Sequence, residues 1–270
     1  MPTPKSEPWQ LRMYRRSLKK KLKVQALRPF VGAGGQRRCL LVTCGDNNGA
    51  INYHLRALGG DWSWAEFEDG SRAGMEGLLG APVLLLDREE CRLPFPDGHF
   101  DLLVSIDVHE HLRRPELLAA EFHRVLRPGG RAVVTTPNGD ERKPVVRLKR
   151  WSGMSNLEYG HVRTGYTVPQ LQELLAGAGL RPLRCGSYAK FFTEFLELVI
   201  NWAYVKVLQR GRPNAGITPS TREKLDSVKR SYRLYALLYP FFWVFSQLDR
   251  LLFFSSGYAV IVEAQKTSNT

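Results

Sequence analysis

Short apolar runs alternate with segments of helical periodicity along most of the chain. The runs are bounded by glycine, proline or acidic residues, and each has the length of an ordinary strand. We predict strands at 40–42, 62–67, 82–86, 100–105, 132–136, 181–188 and 257–265. Strands and helices that alternate in this way indicate an α/β fold, in which helices cover both faces of a mostly parallel sheet.

Residues 1–37 precede the first strand and form a basic arm. Apolar residues recur at helical spacing over 9–30, which predicts one amphipathic helix. Up to Arg38 the chain holds eleven Lys and Arg residues against Glu7 alone, so this part supplies +10 of the net charge of +13. A basic segment of this kind lies on an anionic bilayer, binds nucleic acid, caps the core or forms a solvated, partly disordered tail, and the pattern leaves these alternatives open.

Residues 191–256 are too many for a turn between the last two strands. They contain two apolar helical segments joined by a polar connector at 210–224. The second segment is dense in aromatic residues and is bordered by Arg230, Arg233 and Arg250. Its longest uncharged run contains Pro240 and is shorter than the ~20 residues of a membrane span. This composition favours an element lying in a membrane interface; a lid over the active site and a dimer contact are the alternatives.

The chain therefore divides into the arm (1–37), a core (38–190), the hydrophobic insertion (191–256) and a last strand with its tail (257–270). Cys39, Cys44, Cys91 and Cys185 lack the paired spacing of metal ligands, so we expect reduced thiols in a cytoplasmic compartment. The first residues also lack the apolar stretch of a secretory signal.

Candidate binding residues follow several of the predicted strands. The first strand leads into a loop with Gly45 and Gly49, and strand, glycine turn and helix together bring backbone N–H groups up to a ligand. Glu66 follows 21 residues after Gly45, near the spacing at which a carboxylate binds ribose hydroxyls. Asp87 and Asp107 follow the third and fourth strands. All of these residues are predicted at the carboxyl edge of the sheet, where ligands bind in this fold class.

Four further motifs carry a family resemblance: LPFPDGHFD at 93–101, VHEHL at 108–112, EFHRVLRPGG at 121–130 and TPN at 136–138. With the glycine loop, they resemble the class I S-adenosylmethionine-dependent methyltransferases, and among these the ubiquinone-biosynthesis-like branch. The resemblance covers about residues 38–190. It implies a Rossmann-like, seven-stranded, mostly parallel sheet with an antiparallel last hairpin, and S-adenosylmethionine as cofactor.

The resemblance also implies roles for individual residues. These are Gly45, Asp46, Asn47 and Gly49 along the methionine and ribose, Glu66 at the ribose hydroxyls, Asp87 or Glu89 at the adenine amino group, and Asp107 at the methionine end. The assignments agree with the chemistry, because the cofactor offers hydroxyl and amino donors that carboxylates accept well.

The glycine loop departs from the family pattern of acid-x-Gly-x-Gly-x-Gly. Thr43 stands in place of the acid and Asn47 in place of the middle glycine. Asn tolerates positive φ, so we expect the turn to persist, with Asp46 as a partial replacement for the missing carboxylate. We expect weaker cofactor binding as a consequence.

Methyl transfer needs an aligned acceptor and, at most, a base. The resemblance places the segment 160–167 beside the acceptor, so His161 and Tyr166 are candidates for base or acceptor contact, as is His111; a structural, hydrogen-bonded His161 is the alternative. Asp107, Glu110 and His111 match an arrangement that holds Mg²⁺ in quinone O-methyltransferases. We favour the interpretation without a metal, in which Glu110 and His111 cap the next helix.

Together these features predict a methyltransferase that acts on a lipid or lipid-linked, quinone-like acceptor, peripheral or monotopic on the cytoplasmic face of the membrane. Stable anchoring takes two signals, and the arm and the insertion provide them. A competing hypothesis is an RNA methyltransferase using the arm and the basic residues of 142–150, against which the apolar insertion argues. Two more hypotheses are a soluble small-molecule methyltransferase and a non-catalytic binding protein on the same scaffold.

Overall fold

The computed structural model describes residues 7–33, 35–45, 48–154, 161–203 and 229–267. Seven strands form one sheet: β1 (Arg38–Thr43), β2 (Asp61–Glu66), β3 (Leu84–Leu85), β4 (Phe100–Ile106), β5 (Leu126–Pro137), β6 (Leu180–Tyr188) and β7 (Ala259–Lys266). Their order across the sheet is β3–β2–β1–β4–β5–β7–β6. The pairs among β1 to β5 are parallel, and β7 runs antiparallel to both β5 and β6. The predicted fold class is confirmed.

The helices of the described residues are α1 (Trp9–Arg15), α2 (Leu18–Val31), α3 (Ala50–Arg56), α4 (Asp69–Leu79), α5 (Pro115–Val125), α6 (Pro144–Trp151), α7 (Val168–Gly177), α8 (Phe191–Trp202) and α9 (Lys229–Ser246). Short 3₁₀ turns follow at His109–His111 and Gln247–Leu252. Local sequence explains several helix starts. Pro occupies the first turn of α5, α6 and α7, and Thr167 forms a reciprocal capping box with Gln170 at the start of α7.

Helices cover both faces of the sheet. Successive residues of a strand point to opposite faces, and β1 shows the result. Leu40 and Val42 pack with Phe122 of α5 on one face, whereas Leu41 packs with Leu27 of α2 on the other. The strands are therefore apolar on both sides, which explains why they appear in the sequence as continuous apolar runs.

The arm forms two helices, so the prediction of one continuous helix over 9–30 is wrong. The backbone leaves the helical conformation at Arg16 and Ser17. Met13 and Leu18 lie on either side of this break and both are buried. In a continuous helix, five residues apart, they would point about 140° away from each other. The rest of α2 is part of the second face of the core.

The insertion contains the two predicted helices, α8 and α9, while the connector at 210–224 lies outside the described residues. Pro240 is accommodated inside α9. Within the parts of the chain that the structure describes, none of the helices combines the length and apolar character needed to cross a bilayer. All four cysteines carry free thiols, and Cys185 is exposed.

Candidate active site

The loop after β1 brings the backbone close to the carboxyl edge of the sheet. Gly45 has φ of 75° and Gly49, at the start of α3, has φ of 87°, which other residues rarely adopt. A Cβ atom on Gly49 would also lie 3.2 Å from the Cα of Met75. Asp46 and Asn47, between the two glycines, lie outside the described residues.

Glu66 holds this loop against the end of β2. Its Oε1 accepts hydrogen bonds from the backbone N–H groups of Gly45 (2.8 Å), Phe67 (2.8 Å) and Glu68 (2.9 Å). Its Oε2 accepts one from the hydroxyl of Thr43 (2.7 Å), the residue opposite it in the parallel register. The side chain is fully buried; burial raises the pKa of Glu66, and the four hydrogen bonds oppose that shift.

Glu68, two residues further along, is a second carboxylate at the same place. A Cβ atom on Gly45 would lie 2.9 Å from its Cγ, so the side chain of Glu68 lies directly over the loop. It is about half exposed and forms an ion pair with Arg88, whose Nη2 also lies 3.3 Å from the Sγ of Cys44. Glu68 is not among the residues predicted from the sequence to bind the cofactor. The signal that could have identified Glu68 is its position two residues after Glu66, because side chains two residues apart in an extended chain lie on the same side.

Asp87 and Glu89 lie in the exposed loop after β3, next to Arg88. The Oδ1 of Asp87 accepts hydrogen bonds from the backbone N–H groups of Glu89 (2.7 Å) and Glu90 (2.9 Å), and these lower the pKa of Asp87. The backbone of Leu86 is bonded to that of Glu66, which places this loop beside the end of β2. Both acids therefore lie at the predicted edge of the sheet.

Asp107 connects the end of β4 with the arm. Its Oδ1 accepts a hydrogen bond from the hydroxyl of Thr135 (2.8 Å), and its Oδ2 pairs with Lys23 of α2. Burial by itself would raise the pKa of Asp107, but Lys23 and the bond from Thr135 hold it below the usual value. The sequence placed Asp107 at this edge, but it contained no sign of Lys23 as its partner.

A buried ion-pair network lies next to the pair of Asp107 and Lys23. Glu194 of α8 lies 2.9 Å from Lys19 and also pairs with Lys149 of α6. Burial would raise the pKa of Glu194, yet the two lysines lower it to about 2. Lys19 and Lys23 are one turn apart on α2, so the network and the Asp107 pair share one helix face. The arm, α6 and α8 are thereby joined on this side of the site.

Two predicted catalytic residues, His111 and His161, come together. Their ring centroids are 4.3 Å apart at an interplanar angle of 51°. The buried carboxylate of Glu110 lies beside them. One side-chain nitrogen of each histidine and one carboxylate oxygen of Glu110 lie within 4.8 Å of one another. This cluster can move a proton or hold a cation. Asp107, which the metal arrangement would require, instead pairs with Lys23.

Tyr166 and His109 lie just behind this cluster. The hydroxyl of Tyr166 donates to the backbone carbonyl of His109 at 3.5 Å, and burial raises the pKa of Tyr166 to about 12. At neutral pH it is a hydrogen-bond donor rather than a base. His109 packs against Phe122, and burial together with nearby Arg163 lowers the pKa of His109 to about 3.

Comparison with known proteins identifies the class. A family model described as a methyltransferase domain matches residues 48–134. A candidate methyltransferase of Encephalitozoon cuniculi is 30% identical over 174 residues, which are 60% of this chain and 79% of that protein. The ubiquinone/menaquinone biosynthesis C-methyltransferase of Cupriavidus necator is 39% identical over 67 residues, which are 23% of this chain and 27% of that protein. The chain thus aligns with only about a quarter of this second relative.

The fold gives the same result. The structure of geranyl diphosphate C-methyltransferase from Streptomyces coelicolor, a complex with S-adenosyl-L-homocysteine, superposes with a TM-score of 0.56 at 14% identity, covering 92% of this chain and 76% of that one. The sheet and its carboxyl-edge loops thus define a class I methyltransferase fold. The chain belongs to the S-adenosylmethionine-dependent methyltransferase family, as the sequence motifs predicted.

The described residues fit S-adenosylmethionine at one specific place. A Cβ atom on Gly45 would lie 2.9 Å from the Cγ of Glu68, so only a glycine lets this acidic side chain lie directly against the loop at the carboxyl edge of the sheet. Asp87 and Glu89 add exposed acceptors for an amino group at the same edge. When bound there, S-adenosylmethionine supplies a methyl group that its sulfonium sulfur has already activated.

Proposed function

We propose that this protein transfers a methyl group from S-adenosylmethionine to a lipid or lipid-linked, quinone-like acceptor at the cytoplasmic face of a membrane. The observation that carries the proposal is an uncovered apolar surface on α9 and the turn after it. The relative from Cupriavidus necator, whose name gives ubiquinone and menaquinone biosynthesis, supports an acceptor of this class.

The apolar surface follows helical spacing. We call it the apolar stripe; it comprises Leu234, Leu237, Phe241, Val244, Leu248 and Leu251, and Phe253 and Phe254 extend it. Leu237 and Phe241 are each 72% exposed and Phe253 is 84% exposed. Soluble proteins rarely leave such a contiguous apolar patch in water, so a partner or a lipid surface is expected to cover it.

The other side of α9 packs against the protein. The hydroxyl of Tyr235 donates to the backbone carbonyl of Arg16 (2.7 Å), Lys21 donates to the hydroxyl of Tyr239 (3.2 Å), and Phe245 packs on Phe192 of α8. These contacts fix which side of α9 faces outward. An anchored helix with an outward apolar stripe, in a chain of net charge +13, suits an anionic lipid surface.

The acceptor chemistry is assigned to the histidine cluster. An acceptor hydroxyl loses its proton as its oxygen bonds to the methyl group, and a neutral imidazole can take that proton. We assign this role to His161, with His111 beside it and the carboxylate of Glu110 to stabilise the cation formed. Tyr166 would act as a hydrogen-bond donor that orients the segment.

Vesicle binding tests the membrane part. The full chain is expected to sediment with vesicles of phosphatidylcholine and phosphatidylglycerol, and less with phosphatidylcholine alone. Replacing Phe241 and Phe253 by Ser should weaken binding ten-fold or more, because each buried ring contributes about 1.5–3 kcal/mol. Leu183→Ser, an exposed apolar residue on β6, is the matched control. A dimer that the double variant breaks, without vesicle binding, would identify the stripe as a subunit interface.

Radiolabel transfer tests the acceptor class. With S-adenosylmethionine labelled in its methyl group, we expect label in the organic extract of a membrane preparation. Label in RNA or in the aqueous small-molecule fraction would contradict the lipid acceptor. His161→Ala should reduce turnover while leaving cofactor binding unchanged, and an unaltered rate would remove His161 from the site.

A further inference from the structure

The geometry assigns the ribose hydroxyls of the cofactor to Glu68, and it makes Glu66, which is hydrogen-bonded to Thr43, the anchor of the glycine loop. This reverses the role predicted for Glu66 from its position in the sequence. The inference rests on the cofactor part of the proposed function and is independent of the acceptor.

Glu66 has little capacity left for a ligand. An ionised carboxylate offers about four acceptor positions. Three backbone N–H groups converge on Oε1 and the hydroxyl of Thr43 occupies Oε2, all at 2.7–2.9 Å. Oε2 keeps one further acceptor position, but the side chain is fully buried. A ribose hydroxyl would reach Glu66 only if the loop that the ligand must contact were released.

Thr43 explains why the anchor lies on β2. The register of the parallel pair puts Thr43 directly opposite Glu66. The Thr43 hydroxyl donates to Oε2 of Glu66 across this pair, which an ionised carboxylate at position 43 could not do. Thr43 and Glu66 are therefore one hydrogen-bonded pair at the ends of neighbouring strands, and Glu66 in turn holds the glycine loop.

Glu68 has the position and exposure that a ribose-binding acid needs. Its Cγ lies where a Cβ atom of Gly45 would clash, so the side chain packs directly against the loop. Side-chain exposure is 47%. The carboxylate is close enough to the loop to contact a ligand bound there. Because it is exposed, it can exchange its bound water for the hydroxyl groups of the ligand.

Arg88 is the group that competes for Glu68. The two side chains form an ion pair, with exposures of 37% and 47%. An exposed pair of this kind is worth little, so ribose hydroxyls can displace the guanidinium at small cost. Arg88 then remains attached near Cys44 through its 3.3 Å contact with the sulfur.

Binding of S-adenosylhomocysteine to the full chain, measured by calorimetry, tests the assignment. Glu68→Gln should weaken binding ten-fold or more, because hydrogen bonds to a charged acceptor are lost. Arg88→Gln should tighten binding about two- to five-fold, because a weak competitor is removed. Asp69→Asn removes a neighbouring, exposed charge and should leave affinity unchanged.

An analogue of S-adenosylhomocysteine that lacks the ribose hydroxyls distinguishes a direct contact of Glu68 with these hydroxyls from a general effect of its charge on binding. Wild type should bind it as weakly as Glu68→Gln binds the intact ligand, and Glu68→Gln should show no further loss. Thermal unfolding of the ligand-free protein supplies the second measurement: Glu66→Gln should lower the midpoint, whereas Glu68→Gln should not.

Three results would overturn the inference. Unchanged affinity in Glu68→Gln, with loss confined to Glu66→Gln at wild-type stability, would return the ribose to Glu66. Weaker binding in Arg88→Gln would show that the ion pair supports the ligand. If the wild-type protein does not bind S-adenosylhomocysteine, both the cofactor proposal and this inference are wrong. If wild type binds and only the variants give unexpected affinities, the residue assignment alone is wrong. If Glu66→Gln does not fold, the affinities of Glu68→Gln and of the analogue still test the assignment.

Discussion

The two ends of the candidate site are held together in different ways. On the cofactor side, the buried carboxylate of Glu66 accepts hydrogen bonds from the backbone N–H groups of the two residues after it and of Gly45, which follows the neighbouring strand β1. On the side of the arm and the insertion, ion pairs join distant segments: Lys23 to Asp107, and Lys19 and Lys149 to Glu194. The first arrangement joins the ends of two adjacent strands through neutral donors, whereas the second depends on charges from three separate helices.

The difference has a physical consequence. A carboxylate surrounded by N–H and O–H groups keeps its partners when a distant helix moves, because those partners lie at the ends of two adjacent, hydrogen-bonded strands. A buried ion pair loses its compensation as soon as one partner is removed, and the remaining charge is costly. We therefore expect the end held by Glu66 to be the more rigid half and the end held by the ion pairs to respond to changes in the arm and the insertion.

The largest effect is expected at Glu194. Glu194→Gln keeps the shape of the side chain but leaves Lys19 and Lys149 without their countercharge, and breaking such a pair costs about 3–5 kcal/mol, here at the low end because Lys19 is partly exposed. Urea unfolding at pH 7 measures the loss. Glu173→Gln, an exposed acid on α7, is the control and should change little.

The same residue predicts a pH dependence. Burial would raise the pKa of Glu194, but Lys149 and Lys19 lower it from 4.5 to about 2. Because the folded pKa is depressed, the stabilisation is complete above the unfolded pKa and disappears as the pH falls from about 5 towards 2. Glu194→Gln should flatten this part of the stability curve. Parallel curves for variant and wild type would show that the network contributes nothing.

A smaller effect, about 2 kcal/mol, is expected at Lys23. Lys23→Met removes the paired cation of Asp107 and leaves it the hydroxyl of Thr135 and the more distant charge of Lys19, and a partly buried carboxylate without its paired cation is destabilising. Because α2 carries Lys23, hydrogen exchange in α2 should accelerate more than exchange in β1. Arg15→Met, which removes an exposed cation of the same arm, should leave both rates unchanged. Equal acceleration in α2 and β1 would contradict the independence of the two sides.

The same contrast explains what the sequence could and could not predict. The strands and the edge residues Gly45, Asp87 and Asp107 follow from local periodicity and from the rule that carboxyl ends of parallel strands meet. The pair of Lys23 and Asp107 spans 84 residues, and no local pattern records such a partner. The break of the arm helix between Met13 and Leu18 likewise depends on tertiary packing, because both side chains are buried against the rest of the protein.

Glu66 shows a second limit. Its position after the second strand was predicted, but its partners are backbone N–H groups, which every residue except proline possesses. Residue types therefore could not distinguish a carboxylate that binds ribose from one that binds its own chain. The absence of an acid at Thr43 was the relevant signal, and its meaning became clear only with the strand register.

The smallest effect, about 1 kcal/mol, is expected at Thr43 and isolates the cofactor side. Thr43→Val keeps the volume and removes the hydroxyl that donates to Oε2 of Glu66 at 2.7 Å. The three backbone donors to Oε1 remain, so the loop should stay in place and lose affinity for S-adenosylhomocysteine only a few-fold. In a Glu66→Gln background the same substitution should cost clearly less, since the pair is already broken and double-mutant cycles report that coupling. Equal costs in both backgrounds would mean that Thr43 and Glu66 act independently, and the anchoring of the loop by this pair would then lose its energetic basis.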